Sequence, residues 1–499
     1  MHIINRSILL KLGWRLRAID RFKAQPLAVQ AEQFKLVSSN ENEYLAGFGK
    51  ITSYEDFRAK VPVVEYDEIS PSIERVRAGE RDLMWTGSPV RWAAKSSGTT
   101  AAVSKFIPIT KRYLNNCHYR GGRDTVALFI NNFPESKALT GRALTLGGSA
   151  AIEREGGLKV GDLSAILIEN TPPPTSWIRE PKTSIALIAD FEEKVDAICR
   201  STAKKNMTSF AGVPSWNLIL MQHLLDYTGK SNIHEVWPNM SLFVHGGIAF
   251  APYRDEYKKI FPGEQMHYME TYNASEGFFA LQDDLSDTSM LLMLDYEIFY
   301  EFLPMSSLFD HSTIVPLEGV QLGVNYAMII TTSNGLWRYM IGDTVEFTSL
   351  NPYKIRITGR TKSFINAFGE EVIVDNAVNA VKAASDTTGA LVREFTAAPI
   401  FMEGKEKGAH EWVVECIIDE DKKGLFAEVL DKTLQEVNSD YAAKRYNCAT
   451  LNPPKVHFAP EGTFTKWMQS RGKLGGQNKV PRLSGERTYV EQLLEFIDC

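Results

Sequence analysis

The sequence predicts an α/β protein: a large N-terminal domain of mainly parallel sheets, with a β subdomain over about residues 290–350, and a small α+β C-terminal domain. Three observations lead there. Between residues 191 and 268 strand-like apolar runs alternate with amphipathic helical stretches, the pattern of a parallel sheet covered on both faces. From Met290 to Phe347 strand patterns follow one another without an intervening helix, in EIFYEFL, YAMIITT and LWRYMIGDTVEFT. A charged, glycine-containing connection, KIRITGRTKSFI, then leads into a tail with strand and helix patterns of its own. The expected division is 1–358 for the large domain, 359–363 for a hinge and 364–499 for the small domain. A chain of 499 residues is in any case too long for one small core.

Composition excludes several classes of function. An apolar share of 44%, a charged share of 23% and a net charge of -6 describe an ordinary globular chain, and no basic run is interleaved with aromatics. Nucleic acid is therefore not expected as a partner. Cys117, Cys199, Cys416, Cys448 and Cys499 are widely spaced, with no CxxC pair, which points to a reduced, cytoplasmic protein. The N-terminal MHIINRSILLKLGWRLRAIDRF is basic and amphipathic, but Lys11 breaks its apolar run and no small-residue cleavage site follows. It reads as a helix packed on the domain rather than a targeting signal. No stretch approaches the ~18 apolar residues of a span, so no membrane partner is expected.

Taken in order, residues 5 to 80 are largely helical, with apolar positions three and four apart and breaks at Pro62 and Pro71. Residues 89–94 form a short strand leading into SSGTTAAVSK, and 111–131 form a helix, so the loop is expected at a strand-to-helix junction that favours anions. The region around Gly147-Gly148 and Pro172-Pro173-Pro174 is loop-rich. Then come a helix over 191–205, a buried strand MTSFAGVPSW, a helix over 217–227, the strand SLFVHGG, a helix after Pro252 and a strand over 265–268. Gly246-Gly247 and the segment Tyr272 to Gly277 are expected at the carboxyl ends of strands, where such sheets collect ligands.

Several short motifs carry chemistry. Ser96, Ser97, Thr99 and Thr100 offer hydroxyls around Gly98, and Lys105 follows; together these suit a phosphate chain, although a polar surface turn would look the same. YNASEG places an aromatic ring (Tyr272), a hydroxyl (Ser275) and a carboxylate (Glu276) within five positions, and a glutamate is a hard oxygen ligand suited to Mg²⁺. Read alone, it is equally a glycine-bounded turn. Gly342-Asp343 reads as a turn whose carboxylate can accept two ribose hydroxyls, or as an ordinary hairpin turn. Arg360 and Lys362 mark the hinge, and Lys479 lies in a glycine-rich loop, GGQNKVPRL.

In this order the motifs resemble the acyl-adenylate-forming superfamily, with its SSGTTGxPK, YGxTE, Y/WxxGD and GRxKDxI segments and a C-terminal lysine. Within it the chain is most similar to the auxin-responsive acyl-acid amido synthetase family of plants and its bacterial relatives, through PVVEYDEISPSIERVRAGE, YEFLP and GVNYAMIITTSNGLWRYMIGDTVEF. The similarity runs from about Pro62 to Arg482. The resemblance implies the adenylate-forming enzyme fold and an ATP- and Mg²⁺-dependent ligase. Such an enzyme joins a small carboxylic acid to AMP and then passes the acyl group to an amine, often that of an amino acid. It further implies that Ser96, Ser97, Gly98, Thr99, Thr100 and Lys105 hold phosphates and that Gly246, Gly247 and Tyr272 border the adenine. Ser275 would meet the α-phosphate, Glu276 the Mg²⁺ and Asp343 the ribose. Arg360 and Lys362 would lie at the hinge near the ribose, and Lys479 would neutralise the transferring phosphate. There are departures: Ala101 stands where a glycine is usual, Lys105 comes one position late, Asn273 replaces a glycine, and Ser363 stands where aspartate is common. A thioester-forming ligase such as an acyl-CoA ligase, and a non-catalytic nucleotide-binding protein, are the alternatives.

Overall fold

The computed structural model describes residues 2–96, 105–147, 152–155, 157–173, 175–188, 190–248, 250, 253–361, 364–404, 406–446, 450–470 and 481–497. The N-terminal region is helical as its periodicity requires. α1 (Ile3–Ala24) is followed by α2 (Pro26–Ser38), which opens with proline at its first position, where no backbone N–H is needed. α3 (Tyr66–Arg77) begins with a capping box in which Glu68 accepts from the backbone N–H of Glu65 at 2.8 Å.

Two sheets follow. β1 (Val90–Ser96), β2 (Lys105–Thr110), β4 (Glu153–Glu155) and β5 (Leu158–Gly161) make a small one in the order β2-β1-β5-β4. β2 lies at its edge, where Pro108 is tolerated because no neighbour requires its missing N–H. Residues 97–104 thus connect two antiparallel strands, with Ser96 opposite Lys105, and not a strand to a helix. The run KFIPIT buries Ile107 and Ile109 and extends before the helical segment begins. That segment, α4, comprises Lys111–Tyr113, a π-helical turn at Leu114–His118 and Tyr119–Asn132. The expected loop region beyond it also contains β4, β5 and a helix at Leu163–Asn170.

The main sheet has twelve strands in the order β13-β12-β14-β15-β16-β11-β10-β9-β8-β7-β3-β6. From β6 (Arg179–Glu180) through β3 (Arg142–Thr145), β7 (Met207–Gly212) and β8 (Leu242–His245) to β9 (His267–Ala274) it is parallel. From β9 onward through β10 (Gly277–Leu281), β11 (Met290–Leu292) and β16 (Tyr353–Arg360) it is antiparallel. β12 (Ile298–Pro304), β13 (Val315–Pro316), β14 (Asn325–Thr332) and β15 (Tyr339–Leu350) complete it. The strands of 290–350 therefore continue the same sheet.

Past the connection lie the pair β17 (Phe364–Ile365) and β18 (Val372–Ile373) and a three-stranded sheet, β19 (Leu391–Ile400), β20 (Ala409–Ile417) and β21 (Lys455–Ala459), covered by helices. This C-terminal part is packed on the large one. Phe368, Val414 and Leu430 share one apolar cluster with Phe210, Met221 and Tyr257. Two helices of the large part make the polar contacts, α5 (Pro214–Thr228) and α6 (Arg254–Ile260) with the tyrosine before it. Trp216 Nε1 donates to Phe368 O at 3.1 Å, and Tyr253 Oη donates to Ala367 O at 2.7 Å. The Glu370 carboxylate accepts from Ala367 N and Phe368 N and meets buried His410 Nε2 at 2.8 Å, fixing this loop from within.

Candidate active site

Motifs that lie far apart in the sequence converge where β9, β10, β15 and β16 meet the start of β2. β9 continues through Tyr272 and Asn273 and turns at Ser275-Glu276 into β10, with Ala274 opposite Gly277. YNASEG is thus a hairpin rather than the free carboxyl end of a strand. The hairpin is anchored from α4: Tyr113 Oη donates to Glu276 O at 2.7 Å, and a Cβ on Gly277 would lie 2.7 Å from that same hydroxyl oxygen. Only glycine admits the approach.

Asp343 lies inside β15, not in a turn after it. Ala327 of β14 pairs with Thr344 and Ile329 pairs with Met340, so Ile341, Gly342 and Asp343 together face the single residue Met328. This is a β-bulge, with Gly342 at φ +92° supplying the left-handed conformation it needs. Bulges redirect side chains. Here the redirected carboxylate accepts from Tyr272 Oη at 2.6 Å through Oδ2 and pairs with Arg360 Nε at 2.8 Å through Oδ1. Arg360 stands opposite Asp343 on β16, and its NH2 also reaches Glu371 Oε1 at 3.1 Å. Burial opposes the guanidinium charge, but Glu371, Asp343 and Glu276 outweigh it and raise the pKa. Tyr272 is itself buried, its ring tilted on Phe279 at 4.9 Å, and burial followed by Asp343 holds its hydroxyl well above the ordinary range.

Glu276 and Lys105 complete the cluster. Both are more than nine-tenths buried. Burial raises the carboxyl pKa of Glu276, opposed by Lys105, while burial lowers the pKa of Lys105, opposed by Glu276. Lys105 Nζ stands 5.6 Å from the centre of the Tyr66 ring, and Tyr66 Oη accepts from Phe106 N at 2.8 Å. A cleft beside them is lined by Glu65, Asp67, Lys105, Gly342 and Arg360 among others. Gly246 and Gly247 follow β8. A Cβ on Gly246 would fall 2.3 Å from Thr271 O, and Gly247 has φ +86°, so backbone crowding and turn geometry each demand glycine there.

Among the expected site residues the structure therefore brings together Lys105, Tyr272, Glu276, Asp343 and Arg360. Ser97, Gly98, Thr99, Thr100, Lys362 and Lys479 lie outside the described residues, as does the side chain of Ser96. Glu371, Glu65 and Asp67 were not singled out by sequence. Glu371 stands eleven positions beyond Arg360 with a left-handed φ of +39°, which no local pattern announces. Glu65 and Asp67 sit within PVVEYDEIS, where the acid–aromatic–acid order is the local signal. Among the described residues no cluster of three metal-ligating side chains occurs. No described helix is long and apolar enough to cross a membrane.

Comparison with known proteins finds relatives that span most of the chain. Family models match in sequence: the GH3 family N-terminal domain over residues 15–266, its central domain over 291–360 and its C-terminal domain over 375–488. The chain is similar to the indole-3-acetic acid-amido synthetase GH3.3 of Arabidopsis thaliana, at 24% identity over 96% of this chain and 93% of that protein. It is also similar to the 4-substituted benzoates-glutamate ligase GH3.12 of Arabidopsis thaliana, at 21% identity over 85% of this chain and 87% of that protein. Among solved structures, the GH3.15 acyl acid amido synthetase superposes with a TM-score of 0.61 at 19% identity, covering 97% of this chain and 95% of that one. A 2-hydroxyisobutyryl-CoA ligase with 2-HIB-AMP and CoA gives 0.53 at 15% identity, covering 94% and 91%.

Proposed function

The chain belongs to the GH3 family, and from that premise we propose that it is an ATP-dependent acyl acid amido synthetase. A carboxylate oxygen of the acid attacks the α-phosphorus of ATP, the bond to the β-phosphate oxygen breaks, and pyrophosphate leaves. The nitrogen of an amine, taken to be that of an amino acid, then attacks the acyl carbon. AMP departs with the electron pair of the acyl–oxygen bond, and the amine proton passes to solvent.

The observation that carries the reading is the state of Asp343. Its two oxygens have about four acceptor positions between them. Tyr272 and Arg360 use one on each oxygen and fix the carboxylate's plane, which leaves one position per oxygen for the two ribose hydroxyls. Such preorganised acceptors need no rearrangement when nucleotide binds. Tyr272, Gly246 and Gly247 border the adenine, Ser275 meets the α-phosphate, and the loop from Ser96 to Thr100 with Lys105 takes the remaining phosphates. Arg360 and Lys362 lie by the ribose, and Lys479 reaches the transferring phosphate from the small domain, which turns at residues 359–363.

Glu276 fits Mg²⁺ as a single hard oxygen donor, since that ion combines one or two carboxylates with substrate phosphates. When bound there the metal supplies charge neutralisation at the phosphates. Residues of the chain do the remaining work: they exclude water, orient the nucleotide and keep the acid in line with phosphorus.

The test is carboxylate-dependent exchange of labelled pyrophosphate into ATP across aryl and alkyl acids, followed by amino acids and CoA as acceptors. Exchange with a suitable acid, and an amide product with an amino acid, are expected. Phosphate release without any acid would sink the ligase reading, and thioester formation in place of amide would move the chain to the thioester-forming class.

A further inference from the structure

We propose that the outward face of α1 is a docking surface for an anionic lipid bilayer. The inner face of this helix is fixed to the large domain. Arg15 is 1% exposed and grips Asp124 through Nε and NH2 at 2.8 and 2.7 Å, and Asp295 through NH1 and NH2 at 2.7 and 2.9 Å. Asn5 Nδ2 donates to Pro134 O and Ser136 O at 2.9 and 2.8 Å, and Ile19 and Phe22 are buried. The helix is therefore a rigid ridge.

Its outer face reverses the usual distribution of residues. Ile3 is 76% exposed, Leu10 80% and Trp14 48%. At 100° per residue these three fall within an arc of about 40°, forming one apolar stripe along roughly 16 Å of helix. Cations edge the stripe on both sides, Arg6 and Arg17 on one and Lys11 on the other, all exposed. None of the three makes an ion pair among the described residues. Asp20 is the only acid of α1, while the chain as a whole carries -6. The positive margin is therefore a local feature.

Charge complementarity selects the occupant. A second copy docked through this stripe would bring three more cations against the first three, with a single Asp20 on each helix to offset them. An anionic bilayer reverses that sign: headgroup charge meets Arg6, Lys11 and Arg17, and Ile3, Leu10 and Trp14 enter the boundary where tryptophan is favoured. A contact of this kind needs no spanning helix.

Flotation of the full-length protein with vesicles tests the inference. Binding is expected to vesicles of phosphatidylcholine that carry phosphatidylglycerol as the minor component, with little on phosphatidylcholine alone. Raising the salt to molar levels should weaken it, because the headgroup charge is then screened. The variants Leu10→Ser/Trp14→Ser and Arg6→Ser/Lys11→Ser/Arg17→Ser should each lower partitioning by about ten-fold or more. Thermal unfolding and pyrophosphate exchange should be unchanged, since none of these residues belongs to the site. Failure to float with the anionic vesicles, or binding that both variants retain, overturns the proposal. So does a concentration-dependent dimer in sedimentation equilibrium that Leu10→Ser/Trp14→Ser disperses, because that result would assign the stripe to a second copy.

Discussion

Glu276 is the residue at which burial and chemistry conflict most. Burial raises its carboxyl pKa, yet metal binding needs the ionised form. In Glu276→Gln the shape remains and the charge is lost, so pyrophosphate exchange should fall by about 10²-fold or more, as for loss of a charge-stabilising group at a reacting phosphate. In the parent protein, apparent Mg²⁺ affinity should rise with pH through the raised pKa and level off above it, because the proton competes with the metal. An Mg²⁺ titration that is flat with pH, beside an unimpaired Gln variant, would return Glu276 to an ordinary turn. Tyr272→Phe removes one of the two bonds that orient Asp343. Exchange kinetics should show the KM for ATP raised about ten-fold, the scale of one hydrogen bond to a charged group, with kcat little changed. Tyr272, Glu276, Asp343 and Arg360 were legible in the sequence because each sits in a short motif whose residue types fit one chemistry. Their mutual contacts were not. Nothing local to Asp343 announces that Arg360 and Tyr272 will occupy one acceptor position on each of its oxygens, or that Glu371 will hold the far side of Arg360.

Among the elements, those with their own periodicity were readable and those defined by a neighbour were not. The helices between Ile3 and Arg77 and the β7, β8 and α5 alternation follow from local pattern. The bulge at Gly342-Asp343 arises because β14 offers one residue where β15 offers three, which is a property of the pair. In the same way, β2 forms before α4 because Ile107 and Ile109 have a sheet to enter. Gly246 shows how close such pairings run. A methyl group there would sit 2.3 Å from the backbone carbonyl of Thr271, which cannot swing aside as a side-chain tip would. Gly246→Ala should therefore destabilise the protein by about 1–3 kcal/mol through overpacking, read as a lower thermal midpoint with ATP absent. An unchanged midpoint would mean that β8 and β9 separate easily, and that the glycine is kept for the nucleotide alone.

Over the whole molecule, no local pattern shows that the residues beyond β16 share an apolar cluster with the large part. That cluster depends on Trp216 and Tyr253 meeting the 367–370 loop from far back along the chain. Burial of two histidines within the large part sets a response to acid. Burial lowers the pKa of His118 from 6.5 to about 4 and that of His245 from 6.5 to about 3. Between those values and 6.5 the unfolded chain holds a proton on each ring and the folded chain does not. More protons bound when unfolded means that stability rises with pH in this window and is lost as pH falls through it. At pH 5 each histidine should have removed about 2 kcal/mol relative to pH 7. Together they should lower the thermal midpoint by about 4 °C for a chain of this length. Scans at pH 7, 6 and 5 measure the slope, and His118→Phe and His245→Phe should each remove about half of it, whatever their midpoints at pH 7. A slope untouched by both replacements would show that the acid response comes from carboxylates elsewhere. It would also mean that loss of activity near pH 5 should be sought in titration of the site rather than in loss of the fold.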